Sequence, residues 1–256
     1  NVSTAAAFVV AAAGGRVAKH GNRAMSSACG SADVLEALGA RVELPPDQVA
    51  RCIEEVGFGF MFAPAFHPAT RHANVTRREI GVRTAFNILG PLTNPAGATN
   101  QLMGVPQAEL APKMAAVLQR LGSRHALVVH GNDGLDELSL SGPSKVYELR
   151  GGEISEYEVR PSMFGLQEAP LAAIKGGTAA ENASAMRSLL DGASGPLRDI
   201  VLLNSAAALV AADIATDFPR GIEIARSVID SGEAARRLER FVALTASFPL
   251  EPTAKV

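Results

Sequence analysis

The chain opens with an apolar segment, residues 3–13 (STAAAFVVAAA), which predicts a helix without a polar face. Ser3 or Thr4 supplies the expected N-cap, and Gly14-Gly15 ends the apolar run. A helix that is apolar all round belongs in a protein interior, so the rest of the chain must cover it. At 256 residues, 47% of them hydrophobic, the chain is long enough to do so as one large or two small domains.

The remaining sequence alternates between helical and strand patterns. Further helices are predicted at 31–38 (capped by Ser31), 47–56, 107–121, 178–190, from about 205, at 219–230 and at 232–244. Continuous apolar runs at 125–130 (HALVVH) and 200–203 predict buried strands, and two strand patterns around Gly151-Gly152 predict a hairpin with a primed turn. Together they predict an α/β fold with a mostly parallel central sheet, an antiparallel edge and helices on both faces.

Charge and cysteine content exclude several classes of function. The chain carries 24 Lys+Arg against 26 Asp+Glu, a net charge of −2, which argues against a nucleic-acid binder. No apolar run approaches the ~18 residues of a membrane helix, and the first run lacks the flanks of a signal peptide. With only two cysteines, Cys29 and Cys52, no disulfide framework is expected, and a cytoplasmic location is predicted.

Two stretches carry groups suited to an anion. At residues 1–4 the free N–H groups and positive dipole end of the first helix, with two hydroxyls, favour phosphate, although an ordinary N-cap is the alternative. Residues 19–31 (KHGNRAMSSACGS) combine the cations Lys19 and Arg23 with hydrogen-bonding side chains and with Gly21 and Gly30, which allow close backbone approach. These residues predict an oxyanion-binding loop, with a surface loop as the alternative. The hydrogen-bonding residues are Asn22, Ser26, Ser27 and Ser31.

A third stretch, residues 131–139 (GNDGLDELS), follows the predicted strand at 125–130. Its acids Asp133, Asp136 and Glu137 suit Mg²⁺, which takes one or two carboxylates together with substrate phosphates, although a solvated acidic turn is the alternative. No His-Cys spacing suggests zinc. The three stretches together predict a polyphosphorylated substrate, and no Walker or dinucleotide motif points to a kinase or dehydrogenase.

Several motifs, in order over essentially the whole chain, resemble the anthranilate phosphoribosyltransferases: NVSTAAAF, KHGNR, GSADVLEALG, FHPA, RREIGVRTAFNILGPLTNPA, HGNDGLDE and RFVALT. The resemblance implies that the protein joins anthranilate to phosphoribosyl pyrophosphate and releases pyrophosphate, in tryptophan biosynthesis. It also implies a small N-terminal helical domain, a larger α/β domain and a homodimer formed through the helical part.

The resemblance also implies roles for single residues. Asn22 and Arg77 match the family's anthranilate contacts, where an arginine pairs with the carboxylate. Ser3, Asp136 and Glu137 match ligands of Mg²⁺. No covalent nucleophile is needed, so no catalytic residue is assigned, and His20 and His67 lie near the acceptor path without an assigned role. The residues that match contacts to phosphoribosyl pyrophosphate are Asn1, Val2, Ser3, Thr4, Lys19, His20, Gly21, Asn22, Arg23, Ala24, Met25, Ser26, Ser27 and Ser31.

This sequence departs from the family pattern in two ways. Ala28-Cys29 stands where members often have Lys-Ser, and the family's Gly-Thr-Gly-Gly-Asp loop and helical domain lie upstream of the position that matches Asn1. We therefore expect residues 1–256 to be the catalytic domain of a longer protein, with 68–98 packing against the helical domain. The domain alone is expected to be poorly soluble and to have little activity.

Two other functions stay open at this point. A pyrimidine nucleoside phosphorylase is similar in fold, but nothing here matches its base-binding loop. A catalytically silent paralogue that binds nucleic acid is expected to lose the donor and metal residues and to gain basic surface. Here Ser3, Lys19 and the pair Asp136-Glu137 are present, and the net charge is −2.

Overall fold

The computed structural model describes residues 1–24, 28–67 and 89–249. The α-helices in these ranges are Val2–Ala12 (α1), Ser31–Ala37 (α2), Pro46–Val56 (α3), Ala63–Phe66 (α4), Ala111–Arg120 (α5), Ala179–Leu190 (α6), Pro196–Ala211 (α7), Phe218–Asp230 (α8) and Glu233–Ser247 (α9). The strands are Val17–Gly21 (β1), Phe58–Phe62 (β2), Asn100–Gly104 (β3), His125–Gly131 (β4), Ser144–Arg150 (β5) and Glu153–Val159 (β6). Short 3-10 helices lie at Gly90–Leu92, Ala108–Leu110, Pro161–Phe164 and Leu171–Ile174.

The strands form two sheets. β1 pairs with β2 in parallel, with Lys19 opposite Phe60. The second sheet has the order β3-β4-β5-β6, in which β3 and β4 are parallel and the other two pairs are antiparallel. Gly151 and Gly152 both have positive φ, at 59° and 86°, as a primed hairpin turn requires. The α/β class and the antiparallel edge are confirmed.

The apolar first helix lies in the interior, as its sequence predicts. Phe8 of α1 is fully buried, and its ring centroid lies 4.4 Å from that of Phe58 and 5.9 Å from that of Phe241. α1 packs along α7, which also contacts β3 and β4. None of the helices in the described ranges combines the length and apolar character needed to cross a membrane.

Helices cover both faces of the four-stranded sheet, as predicted. Met114 of α5 packs with Val128 of β4 on one face. The adjacent β4 residues, Leu127 and Val129, belong to the larger core that includes α1 and α7. This alternation follows from strand geometry, since successive side chains point to opposite faces. β4 is therefore buried on both faces, and its carboxyl end carries the acidic stretch.

The strand predicted at 200–203 is wrong, because these residues lie inside the 16-residue helix α7. All four are buried, and a short apolar run carries no periodicity that distinguishes a buried strand from a buried helix. The predicted helix from about 205 is the second half of the same element. Three strands, β1, β2 and β3, have no counterpart among the predicted elements. β1 and β3 contain polar residues and are mostly half-buried, so neither has the apolar run by which 125–130 was predicted.

Two predicted helix caps are also wrong. α1 is capped by Asn1, so that Ser3 and Thr4 lie within its first turn. α2 is capped by Gly30 instead of Ser31, which is the first helical residue. The side chain that serves this start is Asp33, whose carboxylate accepts a hydrogen bond of 2.7 Å from the Gly30 N–H. An acid at the third helical position can thus satisfy the cap without a capping hydroxyl.

Candidate active site

A cavity of about 800 Å³ lies between β1 and β3, with α1 and α7 on its other sides. This volume is within the range of ligand sites, which is ~300–1,000 Å³. Seven residues that the sequence predicts as site residues line it together. They are Ser3, Lys19, His20, Gly21, Asn22, Asp136 and Glu137.

A lysine and the first turn of α1 meet at one end of the cavity. The Lys19 ammonium donates a hydrogen bond of 3.2 Å to the Ser3 hydroxyl. Burial lowers the pKa of Lys19, and the nearby Glu137 carboxylate opposes that shift. The backbone N–H groups at the start of α1 add the positive end of a helix dipole. A cation, a hydroxyl and N–H groups at one point favour an anionic ligand such as a phosphate.

Two adjacent carboxylates face this anion site. Asp136 is exposed and Glu137 half-buried, in the loop that follows β4. Burial, and secondly the charge of Asp136, raise the pKa of Glu137 to about 7, although Lys19 and a hydrogen bond from the Ser3 backbone oppose the shift. A pair of carboxylates beside a hydroxyl is an oxygen donor set of the kind that Mg²⁺ prefers. The residues present therefore fit this ion.

The protein alone supplies an incomplete ligand set. Across residues 1–24, 28–67 and 89–249, no group of three or more His, Cys, Asp or Glu side chains is arranged to hold a metal. Mg²⁺ commonly keeps waters and takes further oxygens from substrate phosphates. The acid pair is therefore suited to an ion that arrives with, or is completed by, a phosphorylated ligand.

The loop that carries the acid pair packs directly against the end of β3. A Cβ atom built on Gly104 would lie 1.6 Å from the Asp136 carbonyl oxygen, so only glycine allows this approach. Asp133, predicted as a third acid of the site, has a different role. Its carboxylate accepts hydrogen bonds from the hydroxyls of Ser139 and Ser141. These bonds hold the pKa of Asp133 below its ordinary value, although burial alone would raise it.

Two histidine rings form another part of the cavity wall. The rings of His20 and His67 lie edge to face, with centroids 4.9 Å apart. Burial and then the neighbouring His67 lower the pKa of His20, while a hydrogen bond to the Gly90 backbone opposes the shift. A lowered pKa keeps the His20 ring neutral near pH 7. Gly90 and Pro91 also line the cavity here. They lie in the motif RREIGVRTAFNILGPLTNPA, but no site role is predicted for either.

Some predicted phosphate contacts do not face the cavity. Thr4 is fully buried, its backbone N–H donates to the Asn1 carbonyl at 3.2 Å, and its hydroxyl has no partner among the described residues. The Asn1 side chain exchanges long hydrogen bonds of 3.4 Å with Cys29. Val2 and Ser31 do not line the cavity either.

Arg23 is engaged on the surface of α2. Its guanidinium binds Glu36 at 2.6 Å and Glu43 at 2.8 Å, and it lies 4.6 Å from the centroid of the Phe62 ring. The next residue, Ala24, donates its N–H to Asp33 at 2.8 Å. These contacts hold Arg23 and Ala24 outside the lining of the cavity, whereas Lys19 lines it. Their roles toward a ligand stay predictions. Four other predicted residues lie outside the described ranges: Met25, Ser26, Ser27 and Arg77.

Comparison with known proteins gives consistent matches over the chain. A family model described as "Glycosyl transferase family, a/b domain" matches residues 1–235. An anthranilate phosphoribosyltransferase from Thermomicrobium roseum is 58% identical over 248 residues, which cover 96% of this chain and 71% of the relative. The crystal structure of anthranilate phosphoribosyltransferase from Thermus thermophilus matches with a TM-score of 0.91 and 52% identity, over 96% of this chain and 74% of that one. The enzyme from Saccharomyces cerevisiae, in complex with PRPP and Mg, matches with a TM-score of 0.88 and 33% identity, over 97% and 70%.

Proposed function

The chain belongs to the anthranilate phosphoribosyltransferase family, and we propose that it transfers the phosphoribosyl group of phosphoribosyl pyrophosphate to the amine of anthranilate. The observation that carries this proposal is one cavity in which an anion site meets a pair of carboxylates. Ser3 and Lys19 form the anion site, and Asp136 and Glu137 form the pair. The Saccharomyces cerevisiae relative in complex with PRPP and Mg shares this fold.

In the reaction, a bond forms between the anthranilate nitrogen and the anomeric carbon as the bond from that carbon to pyrophosphate breaks. The amine then loses a proton to solvent. Negative charge grows on the leaving pyrophosphate, where the Lys19 ammonium and the positive dipole end of α1 stabilise it. The two substrates need only be brought together in the correct orientation, so the reaction requires no covalent nucleophile.

Asp136, Glu137 and the Ser3 hydroxyl would hold Mg²⁺, and their oxygen-only donor set suits this ion. When bound, the ion neutralises charge on the pyrophosphate oxygens. Without it, Asp136 and Glu137 would repel the donor, because their carboxylates face the same site as the phosphates. The acid pair thus makes donor binding depend on a divalent cation.

We place the acceptor beside His20, His67 and Asn22, with Arg77 as the partner of its carboxylate. The rings of His20 and His67, which lie edge to face, give this part of the cavity an aromatic wall against which an aromatic ring can pack, and the lowered pKa of His20 favours its neutral form. Asn22 lies at the end of β1, next to Lys19 and His20 in sequence, and this brings the acceptor region close to the donor region. The role of Arg77 rests on the family resemblance alone.

The proposal extends to the setting of the enzyme. The reaction would serve tryptophan biosynthesis in the cytoplasm, and the complete enzyme would form a homodimer through a helical domain; these points rest on the family resemblance. The proposed division, with residues 1–256 as an α/β catalytic domain and 68–98 facing the helical domain, has the same basis. No observation favours the phosphorylase or the nucleic-acid-binding alternative over this function.

The test is donor binding followed by turnover. Calorimetry should show phosphoribosyl pyrophosphate binding to the complete enzyme with Mg²⁺ and much weaker binding without it. In the same enzyme, the loss of anthranilate fluorescence should depend on the donor. Ribose 5-phosphate is the matched control ligand, since it lacks the pyrophosphate. Equal binding of the two ligands would contradict the proposal, as would phosphorolysis of a pyrimidine nucleoside or preferential binding of DNA.

A further inference from the structure

A fully buried asparagine on α7 forms hydrogen bonds with the backbone N–H and the carbonyl of the residue next to the acid pair. The amide oxygen of Asn204 accepts a hydrogen bond of 2.9 Å from the Leu138 N–H. Its amide nitrogen donates to the Leu138 carbonyl, also at 2.9 Å, and to the Ile200 carbonyl of its own helix at 2.9 Å. Leu138 directly follows Glu137, so this side chain holds the peptide units on which the second carboxylate is built.

From this geometry we infer that Asn204 is a positioning residue, which sets the carboxylates of Asp136 and Glu137 at the edge of the cavity. The inference rests on the proposed function, in which these carboxylates hold Mg²⁺. Leu138 and Asn204 are 66 positions apart in sequence, so the contact joins the loop after β4 to an independent element of the core. α7 is in turn packed against α1, whose first turn carries Ser3.

The loop is also in close contact with β3. Because Gly104 leaves no room for even a Cβ atom beside the Asp136 carbonyl, the loop is held there by close contact. Asn204 adds directional contacts to the loop. Its hydrogen bonds with the N–H and the carbonyl of Leu138 define the orientation of the Leu138 backbone. The contact with β3 and the two hydrogen bonds to Asn204 together leave the acid pair little freedom to move.

The chemistry at position 204 requires an amide. Aspartate has the same shape, but it would present an acceptor oxygen to the carbonyls of Leu138 and Ile200, where the amide now donates. Alanine would leave the buried N–H and carbonyl of Leu138 without partners. Either change should therefore displace the acid pair while leaving its two carboxylates in the sequence.

The test measures metal binding apart from catalysis. Electron paramagnetic resonance follows the binding of Mn²⁺ in the presence of inorganic pyrophosphate. The affinity for Mn²⁺ should be about 10–100-fold weaker in Asn204→Asp and Asn204→Ser, which is the usual loss when a group that orients a metal ligand is removed. Leu202→Ala is the matched control, because Leu202 is buried in the same helix and its apolar side chain cannot form hydrogen bonds with the loop. It should lower the Tm and leave Mn²⁺ affinity unchanged.

Unchanged Mn²⁺ affinity in folded Asn204 variants, with a fall in Tm like that of Leu202→Ala, would overturn the inference and leave Asn204 a purely structural residue. Near-ultraviolet circular dichroism identifies the folded variants, and Asn204→Ser, which retains a hydroxyl, guards against loss of folding in Asn204→Asp. A complete wild-type enzyme, with its helical domain, that binds Mn²⁺ with pyrophosphate but never consumes anthranilate would refute the proposed function and leave the positioning role intact. A wild-type chain that binds no Mn²⁺ would refute the positioning role.

Discussion

The Cα of Gly104 packs so closely on the Asp136 carbonyl oxygen that a Cβ atom there would lie 1.6 Å from it. Gly104→Ala must therefore move the acid pair or β3. We expect Mg²⁺-dependent binding of phosphoribosyl pyrophosphate to weaken at least tenfold, measured by calorimetry, because changes to the groups that orient a metal ligand typically cost about 10–100-fold. Gly142→Ala is the control, since a Cβ there meets nothing within 4 Å and binding should be unaffected. Equal affinities of the two variants would contradict the prediction.

Lys19 and Arg23 should differ in function although they are four residues apart. Lys19→Met removes the ammonium beside Ser3 and should raise the KM of the donor well above that of anthranilate. Arg23→Met should leave both KM values close to wild type and lower the free energy of unfolding by about 0–1 kcal/mol, as expected for exposed ion pairs. Steady-state kinetics of the two variants decide the question, and a donor KM raised mainly in Arg23→Met would reverse these assignments.

The acid pair should be required for metal-dependent turnover and dispensable for folding. In the complete enzyme carrying Asp136→Asn with Glu137→Gln, the oxygen atoms that fit Mg²⁺ lose their charge, so activity should be lost at all Mg²⁺ concentrations. The urea midpoint of unfolding should stay near the wild-type value or rise, because the burial penalty on the Glu137 carboxylate disappears. Activity retained across a Mg²⁺ titration would show that the metal is held elsewhere.

Arg77→Ala should act on one substrate only. Loss of a guanidinium that pairs with the anthranilate carboxylate should cost about 1.5–3 kcal/mol, or roughly 10- to 150-fold in the KM of anthranilate. The donor KM should change much less. An equal rise for both substrates, in initial-rate measurements that vary each in turn, would assign Arg77 a structural role instead.

The contribution of Asp213 to the free energy of unfolding should be lost in acid. Hydrogen bonds from His125 and then from Asn100 hold the pKa of Asp213 below its ordinary value, although burial opposes the shift. A lowered pKa in the folded state stabilises the protein above the unfolded pKa of ~3.9, and this contribution is lost as the pH falls through the folded value. The difference in unfolding free energy between wild type and Asp213→Asn should thus be larger at pH 6 than near pH 3. A difference independent of pH would exclude this linkage.

Asparagine is the appropriate replacement at position 213. Asp213 has a φ of 57°, the one positive value outside glycine in the part of the chain that the structure describes. Asparagine tolerates this left-handed conformation, so Asp213→Asn removes the charge without adding backbone strain. Urea titrations of both proteins between pH 3 and 7 supply the comparison.

Sequence patterns correctly predict those elements whose caps or turns are determined by neighbouring residues in the sequence. The helix after Thr178 has its capping box with Glu181, and the hairpin has its paired glycines, since both features are decided within a few residues. The region 200–203 fails because its burial comes from packing between α1 and the sheet, which imposes no period on so short a run. Only the three-dimensional structure distinguishes the buried helix from a buried strand.

The candidate site shows the same limit. Ser3, Lys19 and Glu137 could be predicted because charged and hydroxyl side chains are concentrated in stretches at the ends of predicted helices and strands. The structure brings these three residues to one cavity. Arg23 is predicted from its charge and from the family resemblance, and a charge gives no sign of whether its partner is a ligand or another side chain. Asn204 lies in an Ala-rich stretch without any motif, and its importance depends on a contact with Leu138, 66 positions away.

The arrangement of the two sheets has a mechanical consequence. In the described ranges no backbone ladder joins β1 and β2 to the sheet of β3, so the width of the cleft between them depends on how α1 packs along α7. Side-chain packing resists compression but permits small sliding, whereas a ladder of hydrogen bonds enforces a spacing. Hydrogen bonds through Ser3 link Lys19 to Glu137 at one end of the cleft, and elsewhere the separation of its two sides is governed by the packing of α1 along α7. Adding or removing a single methyl group where α1 packs along α7 is therefore a means of tuning the affinity of the cleft for its ligand.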